Sequence, residues 1–203
     1  MSARIKICGL FRPEDAQAAN AAMPDYAGFV FHEQSRRVVT PEQAKTLRGL
    51  LHDDIRTVGV FVDAPMALVA RLYQDKTISA AQLHGNEDEV YIAALRSMFP
   101  TMEIWKAFKI RTEAALASAA RSTADVVLLD GGAGEGKAFD WGLLSGFPRP
   151  YILAGGLTPE TITEAIARLY PFAVDLSSGV ETDGLKDAAK MLAAVRAARR
   201  DDV

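Results

Sequence analysis

Tyr151-Ile152-Leu153-Ala154-Gly155-Gly156-Leu157 and Phe172-Ala173-Val174-Asp175-Leu176-Ser177-Ser178-Gly179-Val180-Glu181 decide the fold. Each is a short apolar run that ends in a glycine turn. Strand, glycine turn and helix start, twice in succession, is how an α/β barrel builds a phosphate cradle from its last two loops. Glycine lets the backbone approach the anion, and exposed N–H groups then point at it. One such turn alone reads as an ordinary tight connection. Two at consecutive strand ends point to phosphate.

Outward from these segments, apolar or β-branched runs alternate with alanine-rich, helix-period stretches along the whole chain. Strands are expected at 4–8, 26–31, 57–62, 80–83, 104–108, 126–129, 151–154 and 173–176. Several are apolar at nearly every position, as befits parallel strands covered on both faces. Thr40-Pro41-Glu42-Gln43 supplies an N-cap, a first-turn proline and a capping-box glutamine. Thr158-Pro159-Glu160 is expected to start a helix in the same way, and a final helix is expected over 187–198. Eight βα units in 203 residues leave roughly 25 residues per unit, the pace of a minimal (β/α)8 TIM barrel. An open doubly wound sheet competes, but no Gly-x-Gly-x-x-Gly follows the first strand and no linker divides the chain. One barrel domain over residues 1–203 is expected.

With 49% hydrophobic residues the chain can bury a full core. A net charge of −3 without a basic stripe argues against nucleic acid as partner. The single cysteine, Cys8, excludes an intrachain disulfide and fits a reducing cytoplasm. Neither a leader peptide nor a membrane span is expected. His32, His52 and His84 are scattered, so no zinc-type cluster forms and no metal is expected.

A barrel gathers its active site at the C-terminal strand ends, and position therefore ranks the candidates. Cys8 closes the first strand, as a small buried hydrophobe or as a thiolate that accepts a substrate proton. Asp130 closes the sixth, as a turn cap or as an acid or base at the barrel mouth. Arg36 and Arg37 follow the second strand and are surface charge or a fork for carboxylate or phosphate. Gln82 and His84 end the fourth strand, where polar groups can bond substrate. Asp175 lies in the last strand, bonded to backbone or facing the site. The loop Gly131–Lys137 is a slack connection or a closing flap.

Taken together, these segments resemble the phosphoribosylanthranilate isomerase family of the tryptophan pathway. The resemblance is carried by Lys6-Ile7-Cys8-Gly9-Leu10, Gly28-Phe29-Val30-Phe31 with Ser35-Arg36-Arg37, and Val58-Gly59-Val60-Phe61-Val62. It continues in Gln82-Leu83-His84-Gly85, Leu128-Leu129-Asp130, Gly136-Lys137 with Phe139-Asp140-Trp141, and both glycine segments of the opening. It spans nearly the whole chain in order. Departures are small: Ala154 where serine is also usual, Leu176 where valine is common, and a short glycine loop.

The resemblance implies an Amadori rearrangement of N-(5-phosphoribosyl)anthranilate to 1-(2-carboxyphenylamino)-1-deoxyribulose 5-phosphate, without metal or cofactor. By position, Cys8 is then the general base and Asp130 the general acid, so Cys8 must be partly thiolate and Asp130 protonated. Arg37 grips the anthranilate carboxylate, with Arg36 as the alternative. Gly155, Gly156, Ser178 and Gly179 hold phosphate, and Gln82 and Asp175 are further substrate contacts. The partner is a small molecule, with no nucleic acid and no membrane, and the chain is a monomer or a homodimer. Two readings compete. One is a histidine-pathway type of sugar-phosphate isomerase, which uses two aspartates and a second phosphate cradle. The other is a catalytically dead barrel that only binds phosphorylated ligands.

Overall fold

Alternation along the strands sorts the core into two layers. A computed structural model describes residues 2–132, 141–144 and 146–199. Eight parallel strands close into a barrel in sequence order: β1 (Arg4–Cys8), β2 (Tyr26–Val30), β3 (Arg56–Phe61), β4 (Ala80–Leu83), β5 (Glu103–Lys109), β6 (Val126–Asp130), β7 (Tyr151–Ala154) and β8 (Ala173–Leu176). Successive strand residues point to opposite faces. Ile5, Ile7, Phe29, Leu83, Ile104, Val127, Leu129 and Val174 join the large core layer with the helices. Tyr26, Val58, Ala80, Trp105, Leu128, Ile152 and Ala173 form a separate cluster. That cluster fills the barrel, with the Trp105 and Tyr26 rings edge-on at 5.0 Å.

Several of the helices start where a side chain can satisfy free N–H groups. They are α1 (Pro13–Ala22), α2 (Pro41–Leu50), α3 (Met66–Gln74), α4 (Glu89–Met98), α5 (Glu113–Arg121), α6 (Ile162–Leu169) and α7 (Ala188–Ala198). At α2 the expected box forms: Gln43 N–H donates to Thr40 Oγ1 at 3.2 Å, and Thr40 N–H to Gln43 Oε1 at 2.8 Å. Asp187 caps α7, accepting from the N–H groups of Ala189 and Lys190. Replacing such a cap by alanine costs about 1 kcal/mol.

Two expectations need correction. Helix α6 starts at Ile162 rather than at Pro159, because Thr158 to Thr161 close a turn of their own, with Thr161 N–H on Thr158 O at 3.0 Å. Between β6 and β7 the described residues hold a 3₁₀ turn, Trp141–Leu144, and no α-helix. A short antiparallel hairpin, β9 (Glu181–Thr182) with β10 (Leu185–Lys186), follows β8. Among the described residues, no helix is long and apolar enough to cross a membrane.

Candidate active site

Above the apolar filling, the last inward-facing residues of β1, β4, β6 and β8 are polar: Cys8, Gln82, Asp130 and Asp175. At this end lies a cavity of about 280 Å³. It is lined by Cys8, Gln82, Asp130, Gly155, Gly156, Asp175, Ser178 and Gly179, all expected site residues, together with His84. Arg37 is the expected residue that does not line it. A larger hollow of about 510 Å³ opens at the opposite strand ends, around Arg48, Arg56, Tyr73 and Phe99. Its arginines are occupied by ion pairs, Arg48 with Asp53 and Arg56 with Glu103. The smaller cavity holds the groups that can do chemistry.

Asp130 ends β6, three strands from Cys8 around the ring through β7 and β8. Its Oδ1 accepts from Gly132 N–H at 2.9 Å, and His84 Nε2 stands 3.7 Å from Oδ2. Gln82 Nε2 meets His84 Nδ1 at 3.0 Å. If the amide donates there, the ring carries its proton on Nε2, towards Asp130. Burial raises the Asp130 pKa, but His84, the Gly132 N–H and the charge of Lys109 outweigh it, and the carboxyl is held below its usual range.

Cys8 is buried and free of disulfide. Burial pushes its thiol up, Lys6 and Lys186 pull it back, and Asp175 adds to the rise, so the thiol ends above its usual range. These shifts favour thiol and carboxylate. The mechanism implied by the resemblance needs the reverse, thiolate and carboxylic acid.

Asp175 faces the cavity, yet both its oxygens accept from the fully buried Lys6 Nζ, at 3.0 and 2.9 Å. Burial opposes the Lys6 charge, but Asp175 and Cys8 together outweigh it and hold the ammonium's pKa above its usual value. Lys6 was not singled out by residue type, because a lysine in a strand reads as surface charge until its partner, far along the chain, is known.

The glycine turns take the expected form. Gly155 and Gly156 have φ of 101° and 67°, which L side chains rarely adopt. A Cβ at Gly155 would stand 2.8 Å from Asp130 Oδ1, and one at Gly179 would collide with the Leu157 carbonyl. The two loops therefore touch each other and the carboxyl. Of the glycine loop after β6, residues 133–137 lie outside the described residues, as do Phe139 and Asp140.

Arg36 and Arg37 converge on Glu181. Arg37 Nε donates to Oε1 at 2.5 Å and Nη2 to Oε2 at 2.8 Å, while Arg36 Nη2 reaches Oε2 at 2.5 Å. Lys186 adds a contact to Oε1 at 2.8 Å. Burial opposes the Glu181 charge, but Arg37 and Lys186 bring its carboxyl down to about 2. Both ends of the hairpin, Glu181 and Lys186, were missed. Their signal was Asp183-Gly184, each with positive φ (51° and 79°), the turn pair of a two-residue hairpin. Among the described residues, no group of three or more His, Cys, Asp or Glu could hold a metal ion.

Comparison with known proteins gives one consistent result. The family model for N-(5'phosphoribosyl)anthranilate (PRA) isomerase matches residues 5–197. A protein of Endomicrobium trichonymphae named N-(5'-phosphoribosyl)anthranilate isomerase is 45% identical over 201 residues, covering 97% of this chain and 98% of its own. The crystal structure of phosphoribosyl anthranilate isomerase from Thermotoga maritima superposes with a TM-score of 0.88 at 33% identity, over 97% of this chain and 98% of that one. A structure of such an isomerase in complex with reduced 1-(o-carboxyphenylamino)-1-deoxyribulose 5-phosphate gives 0.86 at 32% identity, with the same coverage.

Proposed function

The chain belongs to the N-(5'-phosphoribosyl)anthranilate isomerase family, and from that premise we propose that Cys8 is its general base and Asp130 its general acid. It catalyses the Amadori rearrangement of N-(5-phosphoribosyl)anthranilate to 1-(2-carboxyphenylamino)-1-deoxyribulose 5-phosphate in tryptophan biosynthesis. The observation that carries the assignment of roles is the shared cavity. One titratable thiol and one carboxyl end separate strands at a mouth whose rim is two glycine turns.

The electron flow needs only those two groups. Asp130 gives a proton to the furanose ring oxygen, the C1–O bond breaks, and the nitrogen lone pair forms a protonated imine. That imine is an electron sink and acidifies the C2–H bond. The Cys8 thiolate takes the C2 proton, and the electron pair becomes the C1–C2 double bond of an enolamine. Gain of a proton at C1 and loss of the 2-hydroxyl proton give the ketone. C1 is reduced and C2 oxidised, with no external electron acceptor. General acid–base catalysis of this kind contributes about 10²- to 10⁴-fold per group.

Phosphate is assigned to the backbone around Gly155, Gly156, Ser178 and Gly179, and the anthranilate carboxylate to Arg37, with Glu181 holding the guanidinium ready. Gln82 Oε1 is buried without a hydrogen-bond partner among the described residues. Such an acceptor costs about 1–3 kcal/mol, and a sugar hydroxyl would satisfy it. A buried thiol kept reduced suits work in the cytoplasm.

The test is conversion of freshly prepared phosphoribosylanthranilate by the wild-type protein, followed by loss of anthranilate-type fluorescence, with the product identified by mass and by reduction to the stable amine. Rapid conversion to the aminoketose is expected. No conversion by folded protein would remove the substrate assignment.

A further inference from the structure

Lys6 is an unusual residue for the inside of a barrel. A buried ammonium loses several kcal/mol of hydration, and a buried ion pair is often no more stable than apolar residues of the same volume. Its neighbours in the barrel filling, Tyr26, Val58 and Ala173, show that apolar side chains pack there. The pair with Asp175 bridges β1 and β8 at the register position Lys6–Asp175. Two residues along β1, on the same inward side, stands Cys8.

One glycine brings the lysine and the sulfur together. A Cβ at Gly28 would meet Cys8 Sγ at 2.9 Å and Lys6 Cε at 3.1 Å, so both side chains lie over the same glycine. Asp175 engages the ammonium from one side. An ammonium has three N–H donors; Asp175 takes up two of its contacts, and the positive charge of Lys6 draws the Cys8 thiol down. The other charged groups around the thiol are Lys186 on β10 and Arg37 after β2. Both of those are taken up by Glu181. Lys6 is the cation that shares the sulfur's strand and inward face, and its charge weighs most on the thiol.

We propose that Lys6 is a positioning residue for the reaction: its ammonium, anchored by Asp175, aims an N–H at Cys8 Sγ and stabilises the sulfur anion when the thiol gives up its proton. This rests on Cys8 as the general base. It also gives Asp175 the task of holding Lys6.

The chain's one cysteine makes the test clean. The rate of iodoacetamide alkylation is measured against pH, with Cys8→Ala as the blank. In Lys6→Met/Asp175→Asn, which removes both charges together and so avoids an unpaired buried ion, the thiol is expected to titrate about one unit or more higher, and kcat at neutral pH to fall about tenfold with KM nearly unchanged. In Asp175→Asn alone the lysine is left to the sulfur, and the thiol is expected to titrate lower. Shifts of opposite sign are not produced by a loss of packing. Unchanged titration in both variants, or a rise in both, would overturn the proposal. Full turnover by Cys8→Ala would instead remove the base assignment, whatever the alkylation profiles read.

Discussion

The Arg37 guanidinium grips Glu181 as a two-toothed fork, Nε on Oε1 at 2.5 Å and Nη2 on Oε2 at 2.8 Å. The arginine is thus held rigid before substrate arrives, and rigidity lowers the entropy cost of binding. Arg37→Ala is expected to raise KM about 10- to 100-fold, the worth of one charge-assisted bond at about 1.5–3 kcal/mol. Arg36, whose side chain is 58% exposed, should change KM less than about fivefold on conversion to alanine, as about 0–1 kcal/mol is typical of surface pairs. Steady-state kinetics of the two variants decide which arginine is the clamp.

The same fork sets an acid limit on stability. Glu181 titrates near 2 when folded and near 4.5 when its partners are absent. A depressed carboxylate stabilises the fold above its unfolded pKa and loses that contribution as pH falls through the folded value. Wild-type stability is expected to drop between about pH 5 and pH 2 for this reason. Glu181→Gln should be less stable at pH 7 and show a shallower fall across that window. Urea midpoints at several pH values provide the check.

The protonation states in the free site shape the pH–rate profile. Asp130 is held below its usual range and Cys8 above its own. The working form, thiolate with carboxylic acid, is then a constant small fraction between the two pKa values. It declines below the carboxylate value, where both groups are protonated, and above the thiol value, where both are ionised. After correction for substrate phosphate, which ionises near pH 6, kcat/KM is expected to be flat across neutral pH. Its acid limb should fall below the ordinary carboxylate range and its alkaline limb above the ordinary thiol range. His84→Ala removes one support of the carboxylate, and the acid limb should move up.

Gly155 couples the phosphate cradle to the acid. Its φ of 101° disfavours any side chain, and a methyl there would press on Asp130 Oδ1. Gly155→Ala is expected to lower kcat and raise KM together, at a stability cost of about 1–3 kcal/mol. Gly179→Ala meets the Leu157 carbonyl instead, and its effect should fall on KM. Paired kinetics, with thermal unfolding as control, separate the two.

Most of the barrel was legible in the sequence, because parallel strands covered on both faces are apolar at nearly every position. The expected strand ends agree with the observed ones within one residue at every strand. Cys8, Asp130 and the glycine turns were legible because strand ends face the site in this fold. What escaped depends on distant pairing. Lys6 meets Asp175 169 residues away, and Arg37 meets Glu181 144 residues away. No local period encodes either. The hairpin that carries Glu181 and Lys186 has two-residue strands, too short for alternation to register, although Asp183-Gly184 marked its turn. The start of α6 slipped because Thr158-Pro159-Glu160 has the composition of a cap while Thr161 closes a separate turn over it.

The most direct test is turnover of phosphoribosylanthranilate by wild type, Cys8→Ala and Asp130→Asn, each shown to be folded by circular dichroism and cooperative melting. In each variant kcat/KM is expected to fall by at least about 10²-fold, while affinity for a product analogue stays within a few-fold of wild type. A Cys8→Ala protein that turns over at the wild-type rate would contradict this and place the base elsewhere in the cavity.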